Sequence, residues 1–416
     1  MEAAIESIDV KNIGVFEELH VSFNGRMNVI AGANGVGKTL LLRCLTHSFT
    51  FYNGAELRFG KDAAIHTQLH IGDKKYIVGA DKISSKDQDY REFGYNSTSL
   101  VRESVPEGYQ GKSMGQEAFF YYPLYAIGAY RSINYVAISG TKREAGIKDR
   151  RVEYTRGNPL YLSSSSVPNV KQWLINRYFV IEKEWAKLES ENWTYMVDKL
   201  KTISPAGESF FFSRIERDLE PVFSLNGREC YFEELPSGYK SVLSIVFSII
   251  DWIEGVFSDE DALIERAHGT VLIDEIDAHL HPSWQMIILD ILQSFFPNLQ
   301  FIITTHSPYV IMSAKEGELL WMKTDSHQHI TPDEQSYGNW RLVDIVHDLM
   351  MVPNLGGKDV PRLLIELGHS FEEGNIEKYR ALLHELATML NPKDPLLQVY
   401  RMKLSTLLLK QDDQSN

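Results

Sequence analysis

Four stretches of this 416-residue chain carry side chains whose types and spacing suit phosphate chemistry. The first, Gly32-Ala33-Asn34-Gly35-Val36-Gly37-Lys38-Thr39, fits G-x-x-x-x-G-K-[ST] at every fixed position. Between a strand and a helix, such a loop aims several backbone N–H groups and the positive end of a helix dipole at one anion. Lys38 is spaced to reach the β- and γ-phosphates of a nucleoside triphosphate, and the Thr39 hydroxyl to touch Mg²⁺. Gly32, Asn34, Gly35, Gly37 and Leu40 complete the expected cradle. The second stretch, Thr270-Val271-Leu272-Ile273-Asp274-Glu275, is an apolar strand ending in two carboxylates. Asp274 suits Mg²⁺ opposite Thr39, and Glu275 is placed to polarise a water for in-line attack on the γ-phosphate. The third, Phe301 to Ser307, is another apolar run, and it ends in His306, which can donate a hydrogen bond to the γ-phosphate. The fourth, Leu235-Pro236-Ser237-Gly238, precedes a helical run, so Ser237 and the N–H groups after it form a further anion cap. One nucleotide does not need two phosphate caps. The second makes sense if it closes on the nucleotide of a partner subunit.

These groups need a scaffold of strands and helices in alternation. Met27–Ala31 reads as a buried strand before the phosphate loop, and Leu40–Leu45 starts a helix after it. Ile5–Phe23 alternates apolar and polar, which predicts two strands meeting the phosphate-loop strand. Leu57–Asp81 predicts short strands with a hairpin at Gly72-Asp73-Lys74-Lys75. Ser84–Gly115 reads as a polar loop, and Phe119–Tyr130 as an aromatic strand ending at Gly128-Ala129-Tyr130-Arg131. Residues 132–168 look irregular, with a Ser163–Ser166 run. From Asn169 one apolar stripe, from Trp173 and Leu174 to Trp185 and Leu188, predicts a helix, and Phe210–Phe223 a second helical piece. Asn226-Gly227 marks a hairpin turn. Helices are expected over 239–257 and 284–296, with strands at Thr270–Ile273 and Phe301–Thr305. The tail carries amphipathic stripes on Ile376–Leu390 and Leu397–Leu408, separated by Asn391-Pro392. The alternation implies a parallel or mixed α/β sheet.

Composition is that of an ordinary globular protein, with 44% apolar and 24% charged residues. A net charge of −14 argues against a surface built to coat DNA without sequence preference. Lys142, Arg143, Lys148, Arg150, Arg151 and Arg156 form a local basic cluster, read here as a solvated loop. Two isolated cysteines, Cys44 and Cys230, suggest packing residues in a reducing compartment. Met1–Glu6 lacks the basic and apolar regions of a signal peptide, and no apolar run approaches the roughly 20 residues of a membrane span. The expectation is a cytoplasmic protein with no membrane association.

Taken together, Gly32–Thr39, Leu235-Pro236-Ser237-Gly238-Tyr239-Lys240, Asp274-Glu275 with Asp277-Ala278-His279-Leu280-His281-Pro282, and Thr305-His306-Ser307-Pro308 resemble the ABC-type ATPase heads. Among these they are most similar to the RecF, SMC and overcoming-lysogenisation-defect branch, over roughly residues 1–325. The resemblance implies an α/β P-loop NTPase head with a mixed sheet, a small helical lobe insertion and an α-helical C-terminal tail. It implies ATP and Mg²⁺ as ligands and a head-to-tail dimer sandwiching two ATP molecules. In that dimer Ser237 and Gly238 act in trans, Asp277 lies in the loop between subunits, Glu275 is the base and His306 the γ-phosphate switch. The resulting division is 1–131 for the first half of the head, 132–234 for the lobe, 235–325 for the second half and 326–416 for a helical region of oligomer or partner contact. Pro236 and Tyr239 depart from the usual signature. No glutamine stands out as a metal-coupled lobe residue: Gln116 and Gln172 are weak candidates, and Arg131 an alternative. His279 and His281 lack further ligands for zinc and fit the interface loop. Lys11, Asn12 and Phe16 lie on the strand suited to hold adenine.

The stretch at 132–210 has no sustained heptads, so it is a compact lobe and not a long coiled coil. Beyond Thr324 no carboxylate cluster of nuclease type appears, so any nuclease is a separate chain. A compact head with a helical tail is similar to the stand-alone ATPase subunits of Septu and retron-associated anti-phage systems, which work with an HNH-type nuclease. That resemblance implies an ATP-hydrolysing regulatory subunit, reaching DNA through its complex. The alternatives are a RecF-type DNA-repair or chromosome-associated ATPase, which would bind DNA by itself, and the nucleotide-binding subunit of a transporter, which needs a transmembrane partner.

Overall fold

A computed structural model describes residues 3–49, 57–85, 95–98, 107–113, 122–131, 137–146, 149–150, 170–350, 359–390 and 394–414. The chain divides into two compact units, Met1–Leu342 and Val343–Asn416.

The first unit is built around a five-stranded parallel sheet. β3 (Met27–Gly32) is buried at every position, and so are β12 (Gly269–Ile273) and β13 (Leu299–Thr304). Continuous apolar strands of this kind belong in a sheet covered on both faces. The order is β14-β3-β13-β12-β8, with β8 at Leu124–Ile127 and β14 at Leu319–Met322. All four pairings are parallel, so β3, β12 and β13 end side by side at one edge. That carboxyl edge is where an open α/β sheet binds ligands.

A second sheet is largely antiparallel. It holds β1 (Ala3–Ile13), β2 (Phe16–Ser22), β4 (Phe59–Ile71), β5 (Lys74–Ser85), β6 (Tyr95–Thr98) and β15 (His327–Ile330), with β7 (Tyr109–Ser113) parallel to β5. The first two strands therefore pair with each other, β1 also with β4 and β2 with β15, and not with the phosphate-loop strand as expected. Gln300, fully buried on β13, joins the two sheets: its Nε2 donates to the Ile5 carbonyl at 2.8 Å, and its Oε1 accepts from the Ile5 N–H at 2.8 Å and from Thr270 Oγ1 at 2.7 Å. Gly72-Asp73 forms the expected hairpin, between strands of 13 and 12 residues that are longer than predicted. β6 and β7 also place strands inside the predicted polar loop.

The lobe differs most from expectation. The predicted helix over Phe210–Phe223 is instead a hairpin, β9 (Phe210–Ile215) and β10 (Pro221–Leu225), continued by β11 (Arg228–Tyr231). Phe210 is buried and Phe211 exposed, a period of two that the run of three phenylalanines concealed. The long stripe after Asn169 breaks into α2 (Val170–Val180) and α3 (Lys187–Leu200), leaving Trp185 72% exposed in the connection. The helix expected over 284–296 is likewise two, α5 (Pro282–Gln285) and α6 (Ile288–Phe295). α1 (Lys38–Phe49) and α4 (Ser237–Val256) stand where predicted, with the short α7 (Pro308–Ser313) after β13. Cys44 is fully buried on α1, whereas Cys230 is only partly so. The Ser163–Ser166 run, Gln116, Asn391-Pro392 and three members of the basic cluster, Lys148, Arg151 and Arg156, lie outside the described residues.

The second unit packs α8 (Asp359–Glu372), α9 (Ile376–Met389) and α10 (Pro395–Gln414) around Leu363, Leu367, Tyr379, Leu386 and Leu397. Because β15 joins β2, the sheet-bearing unit extends past the boundary expected at residue 325. Among the described residues no helix is long and apolar enough to cross a membrane.

Candidate nucleotide site

The phosphate loop leaves β3 and enters α1 within five residues, which demands glycine at its tight points. Gly35 has φ +80° and Gly37 φ +104°, and a Cβ on Gly37 would lie 2.4 Å from the Phe16 ring. Phe16, one of the residues on the strand suited to adenine, is 1% exposed and packs beneath the loop. Asn12, another adenine candidate, donates its side-chain amide to the Lys61 carbonyl at 2.9 Å. Asn34 and Gly35 are exposed at the crest of the loop, while Leu40 packs toward the β1–β2 turn at Gly14.

Lys38 is 5% exposed, and its Nζ donates to the carbonyls of Gly32 at 2.8 Å and Ala33 at 2.9 Å. His306 Nδ1 lies 3.4 Å from the same Nζ. Burial lowers the Lys38 ammonium to about 8, although Asp274, Glu275 and Asp277 pull the other way. His306 is also lowered, first by burial and then by Lys38, so its neutral form is favoured. The end of β12 faces this lysine. Thr39 Oγ1 donates to Asp274, at 2.9 Å to Oδ2 and 3.1 Å to Oδ1.

Thr304, which the sequence reading assigned no role, completes the arrangement. Its hydroxyl donates to Asp274 Oδ1 at 2.6 Å and accepts the Glu275 N–H at 2.7 Å. Its place beside β12 at the end of a parallel neighbour is the signal that could have found it. Asp277 Oδ1 accepts from Thr305 Oγ1 at 2.5 Å and from the His306 N–H at 3.2 Å, so within this chain it holds the histidine turn. Gln285 ties the two turns together, donating to the Leu280 carbonyl at 2.7 Å and accepting from Ser307 Oγ at 2.6 Å. Ser307 in turn caps α7 through the Tyr309 and Val310 N–H groups. His281 Nδ1 is engaged by Ser283 at 3.0 Å, and His279 is exposed.

Ser237 and Gly238 open α4, with Ser237 exposed. A Cβ on Gly238 would meet Trp284 Nε1 at 2.4 Å, and Tyr239 stacks edge-on against the same indole. The Tyr239 hydroxyl donates to Glu208 Oε2 at 2.6 Å, so the unusual signature tyrosine faces inward as an anchor. Gln172 belongs to the lobe, donating to the Gly140 carbonyl at 3.0 Å. Arg150 of the basic cluster pairs with Asp251 at 2.6 Å, which removes it from any free cationic patch.

The AAA domain family matches residues 7–190, and a second AAA family, described as "AAA domain, putative AbiEii toxin, Type IV TA system", matches residues 203–313. The Septu protein PtuA of Bacillus thuringiensis is 26% identical over 412 residues, covering 96% of this chain and 98% of its own length. The probable ATPase of retron Vc95 from Vibrio cholerae is 32% identical over 147 residues, which is 34% of this chain and 28% of that protein. The solved SMC head domain from Thermotoga maritima aligns with 80% of the chain at 14% identity and a TM-score of 0.43. Three of the four motifs stand at the carboxyl edge of one parallel sheet and the fourth opens α4; the chain has an α/β P-loop fold and, with its match to PtuA along nearly the whole length, is similar to the Septu and retron ATPases.

Proposed function

We propose that this chain is the ATP-binding and ATP-hydrolysing regulatory subunit of an anti-phage defence system, that it forms ATP-sandwich dimers or higher oligomers, and that it controls a separate effector, an HNH-type nuclease. The observation that carries the ATPase reading is the continuous contact from Thr39 through Asp274 and Thr304 to the Glu275 N–H, beside the Lys38–His306 pair. The loop N–H groups and Lys38 bind the triphosphate, with Lys38 exchanging loop carbonyls for phosphate oxygens. A hydroxyl and a carboxylate are the hard oxygen donors that Mg²⁺ prefers, so Thr39 and Asp274 fit as its protein ligands. Mg²⁺ bound there supplies charge neutralisation on the β- and γ-phosphates. Glu275 accepts a proton from the attacking water while the bond from the γ-phosphorus to the bridging oxygen breaks and ADP leaves. His306 donates a hydrogen bond to the γ-phosphate from its neutral form. Ser237 and Gly238 close on the nucleotide of the partner, so ATP holds two heads together and hydrolysis releases them. The regulatory reading is supported by the resemblance to PtuA over both units.

The test is particle mass and phosphate release for wild type and Glu275→Gln, with and without ATP and Mg²⁺. The expected mutant binds ATP, keeps only a small residual rate of phosphate release and accumulates as a larger ATP-dependent particle. A mutant that remains a monomer with ATP bound, or hydrolyses at the wild-type rate, would falsify the sandwich or the role of Glu275.

A further inference from the structure

Arg131 follows β8 and reaches across to the end of β12. It is 3% exposed, and its guanidinium meets a ring of backbone carbonyls. Nη1 donates to Asp274 at 2.9 Å and Gly128 at 3.1 Å; Nη2 donates to Glu275 at 2.8 Å, Ala278 at 3.3 Å and Ile276 at 3.4 Å. One side chain thus gathers the ends of two adjacent parallel strands and the turn that follows the carboxylates.

That turn is unusual in its backbone. Glu275 has φ 46° and His279 φ 65°, both in the left-handed region with a side chain attached. Each such residue costs on the order of 1–3 kcal/mol and persists only where its surroundings over-determine it. The carbonyls of residues 274, 275, 276 and 278 all accept from Arg131, so the guanidinium fixes the carbonyl side of the turn, while Thr304 takes the Glu275 N–H on its hydroxyl and the Ile276 N–H on its carbonyl. The arrangement is poor as a purely stabilising device. Arg131 Nε is buried without a hydrogen-bond partner, and the whole cation is withdrawn from water. Apolar packing would avoid this cost. A planar fork with several fixed donors is, however, what several convergent carbonyls require, and lysine cannot supply it.

We infer that Arg131 is the positioning residue of the hydrolytic step, holding the peptide of Glu275 in its left-handed conformation so that the carboxylate faces the γ-phosphate. The inference rests on Glu275 acting as the base. Arg131 does not touch nucleotide; it acts through the turn.

The experiment compares kcat, KM and ATP dissociation constant in wild type, Arg131→Lys, Arg131→Met, Glu275→Gln and the Arg131→Met/Glu275→Gln double variant. Arg131→Met is expected to lower kcat by about 10- to 100-fold, the loss typical of a misplaced reacting group, with the ATP dissociation constant unchanged. Arg131→Lys retains the charge without the fork and should lose rate too, which keeps the test available if the methionine variant folds poorly. In the Glu275→Gln background, Arg131→Met should leave the residual rate where it is, because the group it positions is gone. An additive further loss in the double variant overturns the inference, as does weakened ATP binding in proportion to kcat or a lysine variant at the wild-type rate. If Glu275→Gln itself hydrolyses normally, the base assignment is what has failed.

Discussion

The phosphate-loop side and the signature side of this head are built on different principles. At the strand ends almost every polar group is answered within the chain: Lys38 by two loop carbonyls, Asp274 by Thr39 and Thr304, Asp277 by Thr305 and His306. At the start of α4 the inward residues are anchored, Gly238 on Trp284 and Tyr239 on Glu208, while Ser237 is left exposed. The first region is a pocket pre-organised by a parallel sheet; the second is a firmly mounted edge that faces outward. A self-contained site would need only the first. The contrast is the physical form of the proposal that one chain supplies the pocket and another the cap.

The largest effect that can break this contrast is loss of the pocket cation. Lys38→Met removes a charge-assisted contact to phosphate worth about 3 kcal/mol, or roughly a 100-fold weaker ATP affinity measured by calorimetry. The fold should survive. Burial lowers Lys38 to about 8 from 10.5, so the folded protein binds that proton less tightly than the unfolded chain. Stability therefore rises with pH between those two values, and the methionine variant should lack that slope in thermal melts. A variant that still binds ATP at the wild-type level would remove Lys38 from the site.

On the other side, Ser237→Glu places a carboxylate where the proposed partner's γ-phosphate would sit. Like charges across an interface cost several kcal/mol; about 2 kcal/mol would weaken the ATP-dependent dimer roughly 30-fold. Each monomer should keep its ATP affinity, since the substituted edge faces away from its own pocket in the proposed sandwich. Analytical ultracentrifugation with the Glu275→Gln protein separates the two properties. If Ser237→Glu weakens ATP binding by the isolated monomer, Ser237 serves its own nucleotide and the division between pocket and cap is wrong.

The pocket was legible in sequence because its residues sit at fixed offsets from strand ends, and a buried strand announces itself as an uninterrupted apolar run. Lys38, Thr39, Asp274, Glu275 and His306 all come from such punctuated runs, and the sheet carries them to one edge. Thr304 was not read as part of that site, and Arg131 only as an alternative to the lobe glutamine, because their partners are backbone or lie on a neighbouring strand, which no local spacing encodes. The lobe was misread for a different reason. Phe210-Phe211-Phe212 is apolar at every position, so neither the period of two nor that of 3.6 is visible until the fold buries Phe210 and exposes Phe211. The break at Trp185 was hidden by a stripe that continued across it by chance. The pairing of β1 with β4, and not with β3, likewise follows from long-range topology rather than from alternation within the strand.

The smallest effect tests how firmly the cap is mounted. Replacing glycine by alanine within a helix ordinarily stabilises it by up to about 1 kcal/mol. Gly238 stands against that expectation, because a Cβ there would lie 2.4 Å from Trp284 Nε1 and 2.5 Å from Cδ1. Trp284 is 5% exposed and meets Tyr239 edge-on with centroids 4.6 Å apart, so the indole has little room to retreat. Overpacking of this kind costs about 1–3 kcal/mol, which outweighs the gain in propensity. Gly238→Ala should therefore lower the thermal midpoint of the nucleotide-free protein and leave ATP affinity of the monomer intact. The two effects have opposite signs, so the direction alone decides: a raised midpoint would mean that the start of α4 does not rest on Trp284, and the cap would be a looser element than the pocket it is proposed to close.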